Sequence, residues 1–176
     1  MSLSQESTQS ASKPTSAIFS EIEQAFGGHI PNLFKVYARY PPLLEANWGK
    51  FKAIMLDGQL RREVKEAVAL LISHDNECKY CITAHAAVLR SMRFDEEKIA
   101  GMLQNVLPAD FTGKEAALIK FAREANNRWH EINEDSIKAL FDLGVGEPEI
   151  LEIIGVMELF IAFNRFADVM GIKIDF

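Results

Sequence analysis

Cysteine is scarce: the 176 residues contain two, Cys78 and Cys81, both in one short segment. A secreted disulfide scaffold needs several bridges across long loops, so that class is excluded. A bond between these two closes a tiny loop and staples nothing, which makes its purpose chemical rather than structural. Basic charge is also short, with 19 Lys and Arg against 25 Asp and Glu and a net charge of -6. That balance argues against a nucleic-acid footprint and against a polybasic membrane anchor. Uninterrupted apolar runs of bilayer length are missing. The most apolar stretch, Ile150 to Met170, is broken by Glu152, Glu158, Asn164, Arg165 and Asp168. The first 17 residues are rich in Ser, Thr and Gln and contain no apolar signal core. They read as a disordered tail ahead of one domain over 18–176, and the protein as cytoplasmic. Neither a Gly-rich phosphate loop nor a flavin or nicotinamide signature occurs, so no cofactor is expected.

What the chain does have is helical spacing almost throughout. Ala17 to Phe26 is a short amphipathic piece ended by Gly27-Gly28. Pro31 and Pro41-Pro42 sit where first helical turns tolerate proline. From Leu60 to Ser73, the residues Val64, Ala67, Val68 and Leu71 fall at helical intervals. Ser73, Asp75 and Asn76 interrupt that helix and offer caps for another from about Glu77 to Met92. Asp95 caps a short helix, Thr112 with Glu115 forms a capping box, and Asn133 opens a further helix. The last helix starts at Pro148 and is apolar almost all round, which implies burial on several sides, as a core helix first and with an added oligomer interface as the second reading. No strand alternation is present. The expected fold class is all-α, about eight helices.

The chemistry concentrates in Cys78-Lys79-Tyr80-Cys81-Ile82-Thr83-Ala84-His85. Cys81 and His85 are four apart and share a helix face, while Cys78 and Cys81 are three apart at a helix start. A helix N-terminus or an adjacent imidazole favours the thiolate, the reactive form of cysteine. Such a pair supports a closed cycle. One thiolate attacks a peroxide and becomes a sulfenic acid, the second condenses with it to a disulfide, and an external dithiol restores both. Spacing leaves open which cysteine attacks: Cys78 lies nearer the helix start and Cys81 nearer the histidine. A rival reading takes His74, Cys78, Cys81 and His85 (H-x3-C-x2-C-x3-H) as ligands of a structural zinc. It requires His74 to fold back onto the pair. A third is a redox adaptor or sensor that forms the disulfide without turnover. His29 and His130 carry no motif.

Glu66-Ala67-Val68-Ala69-Leu70, Ser73, Asn76 and Cys78-x-Tyr80-Cys81-x3-His85 resemble the AhpD-like alkylhydroperoxidase core of the carboxymuconolactone decarboxylase superfamily. Ile30-Pro31-Asn32-Leu33-Phe34 and Phe163-Asn164-Arg165 extend the resemblance to its peroxidase-related branch, over roughly residues 28–172. The resemblance implies an AhpD-like multihelical fold that assembles as trimers or hexamers. It further implies a thiol-dependent peroxidase acting on small hydroperoxides with an external dithiol partner. Cys81 would then be the attacking thiol, Cys78 the resolving one and His85 the base, with Glu66 relaying protons to it. No metal is implied. One departure stands out: the well-known alkylhydroperoxidases of this fold carry a histidine directly before the second cysteine, where this chain has Tyr80. A phenol is a poor base near neutral pH, so Tyr80 is at most an auxiliary group that orients substrate or water, or packs.

Overall fold

The computed structural model describes residues 13–176, and every described element is helical. The tail assigned to residues 1–17 lies mostly outside the described residues. Its last three residues are helical, because α1 (Thr15–Ala25) opens directly after Pro14, whose carbonyl accepts from the Ala17 and Ile18 amides. The chain divides into two compact units, one up to Gly49 and one from Lys50 onward.

In the first unit α1 buries Ile18 and Ile22 and ends at Gly27 and Gly28, both at positive φ (64° and 95°). The Gly28 amide closes the end by donating to the Glu23 carbonyl at 2.8 Å. A side chain at either glycine would force an L-residue into the left-handed region, which explains the residue choice. α2 (Asn32–Tyr37) follows Pro31, and α3 (Pro41–Phe51) begins on the proline pair. Phe34 meets Trp48 edge-on at 5.5 Å, and the Trp48 indole donates to Glu21 at 2.8 Å.

The second unit is built around α4 (Arg62–Asp75), which packs on α5 (Lys79–Ser91), α7 (Gly113–Arg128) and α9 (Glu147–Val169). Ten consecutive residues of α4, Val64 to Ser73, are buried, so the helix is enclosed rather than half-solvated. α6 (Glu96–Leu103) is capped by Asp95, which accepts from the Lys98 amide. Thr112 and Glu115 form the expected capping box on α7, and α8 (Glu134–Asp142) starts at the Asn133 cap. The described residues thus hold nine α-helices, one more than the approximate count from the sequence. α9 buries a stripe through Ile153, Val156, Phe160, Phe163 and Asn164, while Leu151 and Val169 face solvent.

A π-helical turn at Lys52–Leu56 follows α3. Its irregular backbone, and that of residues 57–60 after it, is held by one buried ion pair. Lys65, 2% exposed, donates to the carbonyls of Ile54 and Asp57 and pairs with Glu152 of α9. The Glu152 carboxylate in turn accepts from the Gln59 amide at 2.8 Å. At the far end of α4, Asp75 pairs with Arg123 of α7 at 2.5 Å and accepts from Asn127.

Candidate active site

The turn between α4 and α5 is made in three residues. Asn76 caps α4, Glu77 takes a left-handed conformation (φ 59°), and Cys78 is extended as the N-cap of α5, its amide donating to the Ser73 carbonyl at 3.0 Å. α5 therefore begins at Lys79, two residues later than the sequence suggests. The polar residues before it are not its caps. Asp75 is taken by Arg123, and Ser73 and Asn76 are both turned onto Asn164. Strong tertiary partners outcompete a local cap for these side chains.

α4 and α5 bring Glu66 and His85 together. The Glu66 carboxylate, 1% exposed, contacts His85 Nδ1 at 2.6 Å through one oxygen. Its other oxygen accepts from Arg62 Nε, also at 2.6 Å. Burial alone would push this carboxyl up, but the His85 charge and hydrogen bond, with Arg62 behind them, hold it below the ordinary glutamate value. The Phe160 ring stands edge-on to the imidazole at 4.3 Å and walls it on the α9 side. Such a carboxylate fixes both the orientation and the tautomer of a histidine.

Both thiols are free and buried, at the first turn of α5. Interaction with Cys81 pulls the Cys78 thiol below its ordinary value, against burial and Asp168, which raise it. Interaction with Cys78, with burial, pushes Cys81 strongly up, while Asn164 acts the other way. Asn164 is itself 1% exposed and fully engaged: Nδ2 donates to Ser73 Oγ at 2.9 Å, and Oδ1 accepts from Asn76 Nδ2 at 3.0 Å.

Tyr80, between the two cysteines, is buried, its ring 5.6 Å from that of Phe176. His74 does not join the pair. Its Nδ1 faces Asp75 at 3.4 Å and its side chain is 42% exposed, because α4 ends on the Asp75–Arg123 bridge rather than folding back. Among the described residues no three His, Cys, Asp or Glu side chains gather as metal ligands, so the proposed zinc set of His74, Cys78, Cys81 and His85 is not formed. His130 packs on Trp129 at 5.1 Å. Three residues at the site escaped the sequence reading: Arg62, Asn164 and Asp168. Asn164 left a signal, an amide within the most apolar stretch of the chain. Arg62 left only its position one turn before Glu66.

A family model, the carboxymuconolactone decarboxylase family, matches residues 41–124, the stretch that holds α4, α5 and the cysteine pair. An alkyl hydroperoxide reductase of Mycobacterium tuberculosis is 28% identical over 52% of this chain, and the match spans about a quarter (26%) of that relative's length. A peroxidase-related protein from Silicibacter sp. TM1040 superposes with a TM-score of 0.81 at 26% identity, covering 92% of this chain and 84% of that one. An alkylhydroperoxidase AhpD core protein from Ralstonia eutropha JMP134 gives 0.79 at 27%, covering 93% and 90%. The debrominase Bmp8 shares the fold (TM-score 0.76, 21% identity, 92% and 86% covered). Over residues 41–124 the chain matches the carboxymuconolactone decarboxylase family, and its fold is that of AhpD-like, peroxidase-related proteins. No helix among the described residues is long and apolar enough to cross a membrane.

Proposed function

We propose that this protein is a thiol-dependent peroxidase that reduces small hydroperoxides through a Cys78–Cys81 disulfide cycle. The observation that carries the reading is the buried 2.6 Å contact between Glu66 and His85, one turn along α5 from a pair of free, buried thiols. With its Nδ1 proton donated to Glu66, the imidazole offers Nε2 as the base for Cys81. The thiolate attacks one oxygen of the peroxide. The O–O bond breaks, the alcohol leaves with a proton, and Cys81 becomes a sulfenic acid. Cys78 then attacks that sulfur, water leaves, and the disulfide forms. An external dithiol returns both thiols by exchange, with its own pair oxidised. Such a cycle runs in a reducing compartment, which fits a cytoplasmic protein. Assembly as a trimer or hexamer, which the family resemblance implies, is part of the same proposal.

Tyr80 occupies the place of a histidine in the well-known enzymes of this fold, so all proton traffic falls to His85 and turnover is modest. Intact mass spectrometry tests the cycle. After one equivalent of hydrogen peroxide the wild-type chain should lose two hydrogens. Cys78→Ser should trap a sulfenic acid on Cys81, and Cys81→Ser should trap none. Thiols that stay inert to peroxide in the wild type refute the proposal. A disulfide that forms without catalytic peroxide consumption by any dithiol donor identifies a sensor instead.

A further inference from the structure

We propose that Arg62 is the positioning residue that keeps His85 open as a base: its guanidinium, clamped between Glu66 and the π-helical turn, denies the Glu66–His85 pair a further proton. The use of that base in turnover rests on the peroxidase reading above, whereas the proton count of the pair is a property of the resting protein.

Arg62 is the first residue of α4, and Glu66 lies one turn later. A helix gains little from that order. A cation at the N-terminus opposes the dipole, and the acid-before-base sequence is the better one at this spacing. Helix energetics therefore do not account for the pair. The geometry around the guanidinium does. Nε donates to one Glu66 oxygen at 2.6 Å, and Nη1 donates to the Met55 carbonyl at 3.3 Å. The second contact keeps the fork from swinging into solvent, although the Arg62 side chain is 29% exposed. Met55 belongs to the π-helical turn, and Lys65 fixes that turn from the carbonyls of Ile54 and Asp57. The irregular backbone thus supports the site by holding the cation on the carboxylate.

Arg62, Glu66 and His85 form a line of one permanent cation, one buried carboxylate and one imidazole. With Arg62 in place the carboxylate is balanced while the imidazole is neutral. Without it, an uncompensated charge would stand on a group that is 1% exposed, and a buried site discharges such a charge by binding a proton. That proton has two places to go. On His85 it gives an imidazolium, with hydrogen on both ring nitrogens. On Glu66 it gives a carboxylic acid that donates to Nδ1, which sends the imidazole's own hydrogen to Nε2. Both placements cover Nε2, the nitrogen that the base needs. The Glu66 carboxyl agrees with this account: burial raises it, and His85 and then Arg62 bring it below its ordinary value.

The other charges around α4 are engaged elsewhere. Lys65 pairs with Glu152 of α9, and Arg61 and Asp75 pair with Glu115 and Arg123 of α7. Beyond α6, Lys98 pairs with Asp110. α9 turns the Phe160 ring to the imidazole, and α5 adds the Cys81 thiol one turn before His85.

NMR of the reduced protein with ring-15N-labelled histidine reads Nε2 of His85 across pH with no peroxide present, and His85→Gln assigns the signal. In the wild type Nε2 should carry no hydrogen at pH 7. Arg62→Met should raise the pH at which Nε2 gains one by about one to three units, the effect of an adjacent guanidinium on a carboxylate. Arg62→Gln keeps a donor and loses the charge. It should shift the midpoint nearly as far, and it keeps the test valid if Arg62→Met does not fold. Arg62→Lys should restore most of the wild-type value, and Arg61→Met, which removes the neighbouring cation, should leave it in place. The acid limb of peroxide consumption should follow the same shifts. A wild-type Nε2 that carries hydrogen at pH 7, a midpoint unmoved in a folded neutral variant, or an equal shift in Arg62→Lys overturns the proposal. Midpoints that shift as expected in a protein that never consumes peroxide count against the peroxidase reading alone.

Discussion

Replacing Glu66 by Gln keeps the shape of the buried carboxylate and removes its charge. Both carboxylate oxygens are used as acceptors, one by Arg62 and one by His85, each at 2.6 Å. The amide has one oxygen and one NH2 group. If the oxygen stays on Arg62, the NH2 meets His85 Nδ1, which must then accept, and the imidazole proton moves to Nε2. If the oxygen stays on His85, the NH2 faces the guanidinium, donor against donor. The first arrangement costs one charge-assisted hydrogen bond, about 1.5–3 kcal/mol. It also puts a proton on the nitrogen that serves Cys81. Loss of a general base slows a step by typically about 10²–10⁴-fold. Stopped-flow consumption of peroxide by the reduced protein, with urea unfolding in parallel, measures both effects. A folded Glu66→Gln protein that reacts within about threefold of wild type, far less than a lost base costs, refutes the relay.

Two further predictions concern the scaffold. Lys65→Ala strips the buried cation from Glu152 and from the carbonyls of Ile54 and Asp57. Breaking such a pair from one side costs about 3–5 kcal/mol, and a urea midpoint that barely moves contradicts that account of the π-turn. Glu115 is held down to about 2, first by its hydrogen bond to Arg61 and then by the Thr112 capping bonds. Its folded value is depressed, so its stabilisation is present above the unfolded value and lost as pH falls towards 2. Glu115→Gln should therefore lower the melting temperature at pH 7 and narrow the gap to wild type below about pH 3. A gap independent of pH argues against it.

The helices were legible because their ends are written locally. Pro31, the Pro41 pair, Asp95, the Thr112–Glu115 box and Asn133 each mark a start within one turn of where it lies. The reactive segment was legible for the same reason, since Cys78, Cys81 and His85 share one helix. The meeting of Glu66 with His85 came from the family resemblance, and the α4–α5 turn realises it. Ser73, Asp75 and Asn76 were misread because a capping residue and a buried network residue look alike in sequence. Their partners, Asn164 and Arg123, lie 91, 48 and 88 positions away respectively for Ser73, Asp75 and Asn76. No local pattern carries information of that range. Helical spacing at Val64, Ala67, Val68 and Leu71 marks one buried face of α4, and its complete enclosure depends on α5, α7 and α9, whose arrival no local spacing carries.

Asn164 and Asp168 sit on α9, well beyond the 41–124 stretch that matches the family model. The motif that names the family and the buried amide that holds the α4–α5 turn through Ser73 and Asn76 are thus carried on separate pieces of chain. A chimera that keeps 41–124 and takes its final helix from a relative would inherit the cysteine pair intact and a different brace for the turn that carries it. In such a scaffold the setting of the pair can change by exchange of a single helix, with the diagnostic signature left unchanged.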